Sequence, residues 1–312
     1  MSIAVSAIEL SKIYGERMAV DRLTLDVREG EVFAFLGPNG SGKTTTIRML
    51  CGIITPTSGQ GRVLGFDIAT QSEAIKARIG YMSQRFALYE DLTVRENLNF
   101  YAGVYQVKGS RRDARVQELI GMAGLTGREG QLAGQLSGGW KQRLALGCAI
   151  VHQPPLLFLD EPTAGVDPVS RRSFWTLIYG LARGGVTIFL TTHYIDEAEH
   201  ADRVALMLDG RMVAQAPPRE LRETGLSGTL LEVECEPAIA ALELLPGLPG
   251  VHEVTLYGTL LHVLVDDDLS AEKLTALLRQ RGFTVTSVRA IKPSLEDVFV
   301  SRIRAGRAAE SI

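Results

Sequence analysis

The sequence predicts an α/β chain in two parts: a parallel-sheet domain first, then a small α+β unit of ferredoxin-like order. Three observations carry this. Short apolar runs without polar alternation, Glu31–Leu36 (EVFAFL), Leu156–Leu159 (LLFL) and Val186–Leu190 (VTIFL), read as strands buried on both faces, as in a parallel sheet covered by helices. Residues from about Gln84 to Ile150 are mostly helical in pattern. After Pro217-Pro218 the composition shifts, and the remainder follows a β-α-β-β-α-β order.

Taken along the chain, Ile3–Arg28 alternates weakly, as antiparallel strands do. In the helical stretch, Asp91-Leu92-Thr93 followed by Glu96 reads as a capped start with an acidic first turn. Leu98, Tyr101 and Ala102 repeat at helical spacing beyond it. The boundary is placed after Gly225, giving domains 1–225 and 226–312. In the second, Leu230–Cys235 reads as a strand and Ala238–Leu245 as a helix. Val251–Tyr257 and Leu260–Val265 form a hairpin through Gly258-Thr259. Ser270 caps a helix bearing Leu274, Leu277 and Leu278, with Gly282 past its end, and Thr284–Val288 is the last strand.

Composition sets the outer limits. With 312 residues, at roughly 150 per domain, the chain holds about two domains. Hydrophobic content of 46% and charged content of 22% exclude disorder over most of the length. A net charge of −3 gives no support to a generally basic nucleic-acid binder. Cys51, Cys148 and Cys235 lie too far apart for a metal cluster or disulfide framework and read as reduced core fillers of a cytosolic protein. No apolar run approaches the roughly 18 residues of a membrane helix, and MSIAVSAIEL lacks the basic and apolar regions of a signal peptide.

The three buried runs each end in small or polar residues, and in open α/β sheets ligands bind outside the carboxyl ends of the strands. After the first comes Gly37-Pro38-Asn39-Gly40-Ser41-Gly42-Lys43-Thr44-Thr45, which matches G-x-x-x-x-G-K-[ST]. The glycines let backbone N–H groups curl around an anion, and the next helix aims its N-terminus at the same place. Lys43 supplies a point charge for β- and γ-phosphates, and Thr44 a hydroxyl for Mg²⁺. A Gly-rich turn that binds nothing is the plain alternative; its place between a buried strand and a helix favours phosphate.

Asp160-Glu161 closes the second run. Two adjacent carboxylates at a strand end need a cation or donors. Asp160 then serves Mg²⁺ through water, and Glu161 orients and deprotonates an attacking water; an isolated Asp-Glu could equally be a solvated turn. His193, after the third run, sits where a γ-phosphate would lie and reads as a hydrogen-bond donor. His152, His200, His252 and His262 lack such a context and read as surface or packing residues. Leu136–Arg143 (LSGGWKQR) offers a second anion-binding helix start: Ser137 as cap, with exposed amides at Gly138 and Gly139. A two-fold dimer explains two such starts for one nucleotide, each nucleotide lying between Gly37–Thr45 of one copy and Ser137–Gly139 of the other.

These segments together resemble the ATP-binding cassette ATPases, the nucleotide-binding subunits of ABC transporters. GPNGSGKTT resembles the Walker A segment, LLFLDEP (Leu156–Pro162) the Walker B segment and LSGGWKQR the signature. Gln84 in YMSQ, Asp167 in AGVD and His193 match the Q-, D- and H-loops, and Tyr14 in SKIYGE matches the aromatic residue that stacks on adenine. The resemblance spans roughly residues 3–225, with the motifs in the family's order. It implies a P-loop NTPase with a mixed-sheet core, an antiparallel β subdomain and a helical subdomain. It also implies ATP and Mg²⁺ as ligands, with Gln84 on Mg²⁺ or water, Ser137 and Gly139 on the opposite copy's γ-phosphate, and Asp167 linking the two sites. The chain departs from the usual pattern at Trp140, where Gln is common, and at Val166, where Leu is frequent; neither is a phosphate-contacting position.

Pro293–Val300 (PSLEDVFV) resembles the end of ATPase subunits of ABC-2-type exporters, a group that includes multidrug exporters. The expected function is therefore ATP hydrolysis in a homodimer that drives a separate polytopic membrane permease, with the chain peripheral on the cytoplasmic face of the cell membrane and no nucleic-acid partner. Gln84–Tyr105, with Phe86, Leu88, Tyr89, Phe100 and Tyr101, is the expected permease contact; some of these aromatics could instead be helical-subdomain core. A soluble cassette ATPase acting on nucleic acid or ribosomes usually has two cassettes or a long insertion; here there is one, and Ser137 lies fewer than a hundred positions after Lys43. An importer ATPase would more often end in a small β-barrel.

Overall fold

The structure is a computed structural model that describes residues 2–85 and 87–310, with side chains through residue 304. The chain divides into two compact units, Met1–Gln215 and Ala216–Ile312.

In chain order the first unit has β1 (Ile3–Tyr14), β2 (Arg17–Arg28), β3 (Val32–Leu36), α1 (Lys43–Leu50), β4 (Ser58–Val63), β5 (Phe66–Asp67), α2 (Ser72–Lys76) and β6 (Ile79–Met82). There follow α3 (Val94–Val104), α4 (Gly109–Met122), α5 (Gly138–Ala149), β7 (Leu156–Asp160), α6 (Pro168–Arg183), β8 (Thr187–Thr192), α7 (Ile195–Ala198), β9 (Arg203–Leu208) and β10 (Arg211–Ala216).

One sheet has the order β2-β1-β4-β5, with antiparallel pairing throughout. The other has the order β10-β9-β3-β8-β7-β6, in which β9, β3, β8, β7 and β6 pair in parallel. The three apolar runs form its centre, where every residue of β3, β7 and β8 is buried. Phe189 on β8 packs between Phe33, Phe35 and Phe158, with ring centroids 5.3, 5.9 and 5.4 Å away. These rings join α1 and the antiparallel sheet in one core. Because all three strands point the same way, their carboxyl ends emerge on one edge. β8 runs two residues further than its apolar run, through Thr191 and Thr192, so His193 follows the strand directly.

The helical stretch is α3 to α5. Thr93 caps α3 in a reciprocal box: its hydroxyl accepts from Glu96 N–H, and the Glu96 carboxylate accepts from Thr93 N–H at 2.8 Å. The cysteines are free and buried.

The second unit continues with α8 (Pro218–Thr224), β11 (Thr229–Glu236), α9 (Ala238–Leu244), β12 (Val251–Tyr257), β13 (Leu260–Val265), α10 (Ala271–Gln280), β14 (Thr284–Ala290) and α11 (Leu295–Glu310). Its sheet order, β12-β13-β11-β14, is fully antiparallel. With helices between the first and second and the third and fourth strands, this is the ferredoxin-like arrangement. Gly258 takes φ +64° in the β12–β13 turn, a left-handed conformation that suits glycine. No described helix is long and apolar enough to cross a membrane.

Candidate functional site

The glycine loop follows β3 and closes on itself. Gly42 has φ +106°, and a Cβ there would lie 2.4 Å from the Ala19 carbonyl oxygen; a Cβ on Gly37 would lie 2.4 Å from that of Met207. Glycine is therefore the only residue that lets this loop pass so close to its neighbours. Lys43 begins α1 almost fully buried, and its ammonium donates to the Gly37 and Pro38 carbonyls at 2.8 and 3.0 Å. Burial holds its pKa below the usual lysine range, against the pull of the nearby Glu161 carboxylate. Ser41 is buried, and its hydroxyl has no partner.

Asp160, the last residue of β7, accepts at Oδ1 from the hydroxyls of Thr44 (2.9 Å) and Thr191 (2.8 Å). Burial raises its pKa, while those two hydroxyls lower it. Its Oδ2 is buried without a partner. A carboxylate oxygen left bare beside a threonine hydroxyl and a phosphate loop fits a bound Mg²⁺: Thr44 can donate its proton to Asp160 while its oxygen lone pair faces the ion.

Glu161 turns out of the sheet with φ +47°, a left-handed conformation that costs a non-glycine residue about 1 kcal/mol or more. Its N–H donates to the Thr191 hydroxyl at 3.0 Å, which holds the turn. Three groups meet its carboxylate: Lys43 Nζ at 3.2 Å from Oε1, Gln84 Nε2 at 3.0 Å and His193 Nδ1 at 3.3 Å from Oε2. Loop, second-strand and third-strand segments thus converge on one carboxylate.

A cavity of about 630 Å³ opens here, lined by Tyr14, Arg17, Ala19, Asn39, Gly40, Gly42, Lys43, Thr44, Thr45, Gln84 and Glu161. Half-exposed Tyr14 stands at its rim. Arg17, not singled out from the sequence, pairs directly with Tyr14 across the β1–β2 turn, and directly opposed antiparallel residues share a face. The signal was the two-residue Gly15-Glu16 turn, which fixes that register.

Ser137–Gly139 and Asp167 do not line this cavity. Ser137 takes the N-cap position of α5, but its side chain makes no capping bond, so the expected serine cap is not formed. Gly138 is exposed as expected, whereas Gly139 is buried, because α5 packs there on Ser170 of α6. Asp167 caps α6, accepting from Val169 and Ser170 N–H at 3.0 and 2.9 Å. Of the expected permease contact, Phe86 lies outside the described residues. Tyr89 and Phe100 are more than 40% exposed and meet edge to face at 4.6 Å; Leu88 and Tyr101 are half-buried, and Tyr101 donates to the Ala87 carbonyl.

A glycine loop with a buried lysine, facing a buried aspartate and a shielded glutamate at the ends of parallel strands, defines a P-loop nucleotide-binding protein. The chain belongs to the ATP-binding proteins of ABC transporters. Residues 20–164 match the ABC transporter family, and residues 217–303 match the C-terminal domain of DrrA1-3-like ATP-binding proteins. It is 36% identical over 303 residues to the daunorubicin resistance ATP-binding protein DrrA3 of Streptomyces coeruleorubidus, covering 95% of each chain. It is 44% identical over 218 residues to the probable multidrug ABC transporter ATP-binding protein YbhF of Escherichia coli (strain K12), covering 70% of this chain but 38% of that one. Among solved structures, the dimeric post-hydrolysis state of the cassette MJ0796 bound to ADP and Pi matches with a TM-score of 0.63 and 28% identity, covering 68% of this chain and 98% of that one.

Proposed function

We propose that the chain binds ATP with Mg²⁺, hydrolyses it as a homodimer, and thereby drives export by a separate polytopic membrane permease at the cytoplasmic face of the membrane. The observation that carries this is the convergence of Lys43, Gln84 and His193 on the Glu161 carboxylate beside a cavity lined by the glycine loop. The names of the full-length relatives, which are resistance and export ATP-binding proteins, support the direction of transport.

On this reading Tyr14 stacks on adenine, and the N–H groups of Gly40, Ser41, Gly42, Lys43, Thr44 and Thr45 cradle the phosphates. Thr44, Asp160 and Gln84 hold Mg²⁺, which when bound neutralises charge on the phosphate oxygens. Lys43 turns from Glu161 to the phosphates, which frees the Glu161 carboxylate. Glu161 then accepts a proton from the attacking water, and His193 donates a hydrogen bond to the γ-phosphate. Ser137 and Gly139 of the opposite copy close the site. The exposed, uncapped Ser137 hydroxyl is available for that contact. Product release reopens the dimer, and the cycle is passed to the permease through Tyr89, Phe100 and their neighbours.

The test is Glu161→Gln in the full chain. Turnover falls by about 100-fold or more, while MgATP binding persists and the chain elutes as a dimer in ATP. Turnover at the wild-type rate would remove Glu161 from the base role and with it this reading.

A further inference from the structure

Glu197 is as deeply buried as Asp160, each 1% exposed, yet the hydrolytic scheme above gives it no part. It lies on α7, just past His193. Its two carboxylate oxygens serve two different strand ends. Thr163, two residues beyond Glu161, donates its hydroxyl to Oε1. Thr192, immediately before His193, donates its hydroxyl to Oε2 at 2.7 Å. The Thr192 oxygen in turn accepts from Tyr194 N–H at 2.9 Å, so His193 is bracketed on both sides. On the other branch, the Ala164 N–H donates to the Glu161 carbonyl at 3.2 Å and closes the turn that carries Thr163.

Burying a carboxylate is unfavourable unless its oxygens are satisfied and its charge is met. Here the charge is met by Arg171 of α6, whose Nε lies 3.6 Å from Oε1 and whose guanidinium stacks on the Tyr194 ring at 4.1 Å. An apolar side chain would fill the same space without that burden. It could not join the Thr192 hydroxyl at the end of β8 to the Thr163 hydroxyl in the turn after β7.

We propose that Glu197 is a positioning residue: a two-pronged clamp that fixes the Glu161 turn and the His193 turn relative to one another. The separation it sets is the 3.3 Å between His193 Nδ1 and Glu161 Oε2. The proposal rests on the catalytic reading of Glu161 and His193. Losing the clamp lets the base and the phosphate donor drift apart, and displacements of about 1 Å in such pairs cost on the order of 100-fold in rate.

Four variants of the full chain test it: Glu197→Leu, which keeps bulk and removes both acceptors; Glu197→Gln, which keeps reach and one acceptor; Thr192→Val; and Glu161→Gln. Glu197→Leu lowers kcat by about 10- to 100-fold with KM for ATP and MgATP affinity within about two-fold. Glu197→Gln recovers part of the loss. Thr192→Val also lowers kcat, and adds little to Glu197→Leu because both cut the same link. Thr192→Val removes one prong only, so it carries the test if Glu197→Leu does not fold. Folded Glu197→Leu or Thr192→Val with wild-type kcat would overturn the clamp. If Glu161→Gln itself turns over normally, the failure belongs to the catalytic reading instead.

Discussion

Lys43 and Glu161 form an ion pair 3.2 Å long with 3% and 7% of their side chains exposed. The pair joins the phosphate loop to the end of β7, and either member can leave it only for another charge. Removing one partner of a buried pair costs about 3–5 kcal/mol, because the other is left uncompensated. Gln84 and His193 soften that loss here by staying within reach of Glu161. Lys43→Ala is therefore expected to lower stability by about 3 kcal/mol in denaturant titration and to abolish ATP binding in the same preparation. Unchanged ATP affinity would refute the phosphate role of Lys43. An undiminished unfolding midpoint would show that the pair adds nothing net.

Gly139 is where the signature helix presses on α6. A Cβ there would stand 2.4 Å from the Ser170 hydroxyl and 2.7 Å from its Cβ. Gly139→Ala is expected to destabilise the chain by about 1–3 kcal/mol, as overpacking does, and to weaken ATP-driven dimerisation. Adding Ser170→Gly clears both clashing atoms. A double-mutant cycle should then report a favourable coupling of about 1 kcal/mol or more. If the glycine matters only for an exposed amide, the stability loss and the rescue are both absent.

His152 gives the cassette an acid-sensitive point. Its ring stacks on Tyr105 with centroids 3.6 Å apart, and Nε2 donates to the Ile79 carbonyl at 3.1 Å. Nδ1 is buried with no partner, so a second proton there has nowhere to go. Burial chiefly, with the charge of Arg115, pushes the imidazole down to about 4, against the Ile79 hydrogen bond. In the unfolded chain it titrates near 6.5. Between those values the unfolded state holds more protons, so stability falls as pH drops from about 6.5 toward 4. His152→Phe keeps a ring against Tyr105 but cannot titrate. Its melting temperature is expected to lie below wild type at pH 7.5, since Ile79 loses its donor, and the gap should narrow between pH 6.5 and 5. A constant gap would mean that folding leaves the histidine's titration unchanged.

Much of this was legible in the sequence because the decisive signals are contiguous. β3, β7 and β8 are unbroken apolar runs, and their ends carry the glycine loop, Asp160-Glu161 and His193. The β12–β13 hairpin was readable from the Gly258-Thr259 turn between two strand-like runs. The segment between α1 and Gln84 was not. β4 is SGQGRV with four exposed residues, β5 has two residues, and β6 is the short IGYM. Such pieces are strands because neighbours pair with them, and their own pattern says little. The same holds at the site: Arg17, Thr191 and Glu197 acquire meaning from register and from strand ends brought together, which no local spacing announces. The signature helix shows the reverse error. Its motif was visible, but the burial of Gly139 depends on α6, more than twenty positions away in sequence.

The C-terminal PSLEDVFV segment has a physical rationale in the second unit. Asp297 Oδ1 meets His262 Nδ1 at 2.7 Å, and Oδ2 accepts from the Ser294 N–H and hydroxyl at 2.8 and 2.6 Å. The Ser294 oxygen accepts from Asp297 N–H at 3.2 Å, which starts α11. Leu295 and Val298 are fully buried beside this knot, and His262 stacks on Tyr257 at 4.7 Å. Asp297→Ala removes a helix cap and leaves the buried His262 Nδ1 without its partner, while Nε2 keeps the Glu232 carboxylate at 3.8 Å, so a loss of about 2–4 kcal/mol is expected. Ser294→Ala removes the cap alone and should cost about 1 kcal/mol. Both tryptophans, Trp140 and Trp175, lie in the first unit. Calorimetry should therefore show an endotherm of the second unit moving down, further for Asp297→Ala than for Ser294→Ala, while the tryptophan fluorescence transition stays in place. Equal shifts for the two variants would assign the whole effect to the cap and none to His262. A fluorescence transition that follows the endotherm would show that the two units unfold together.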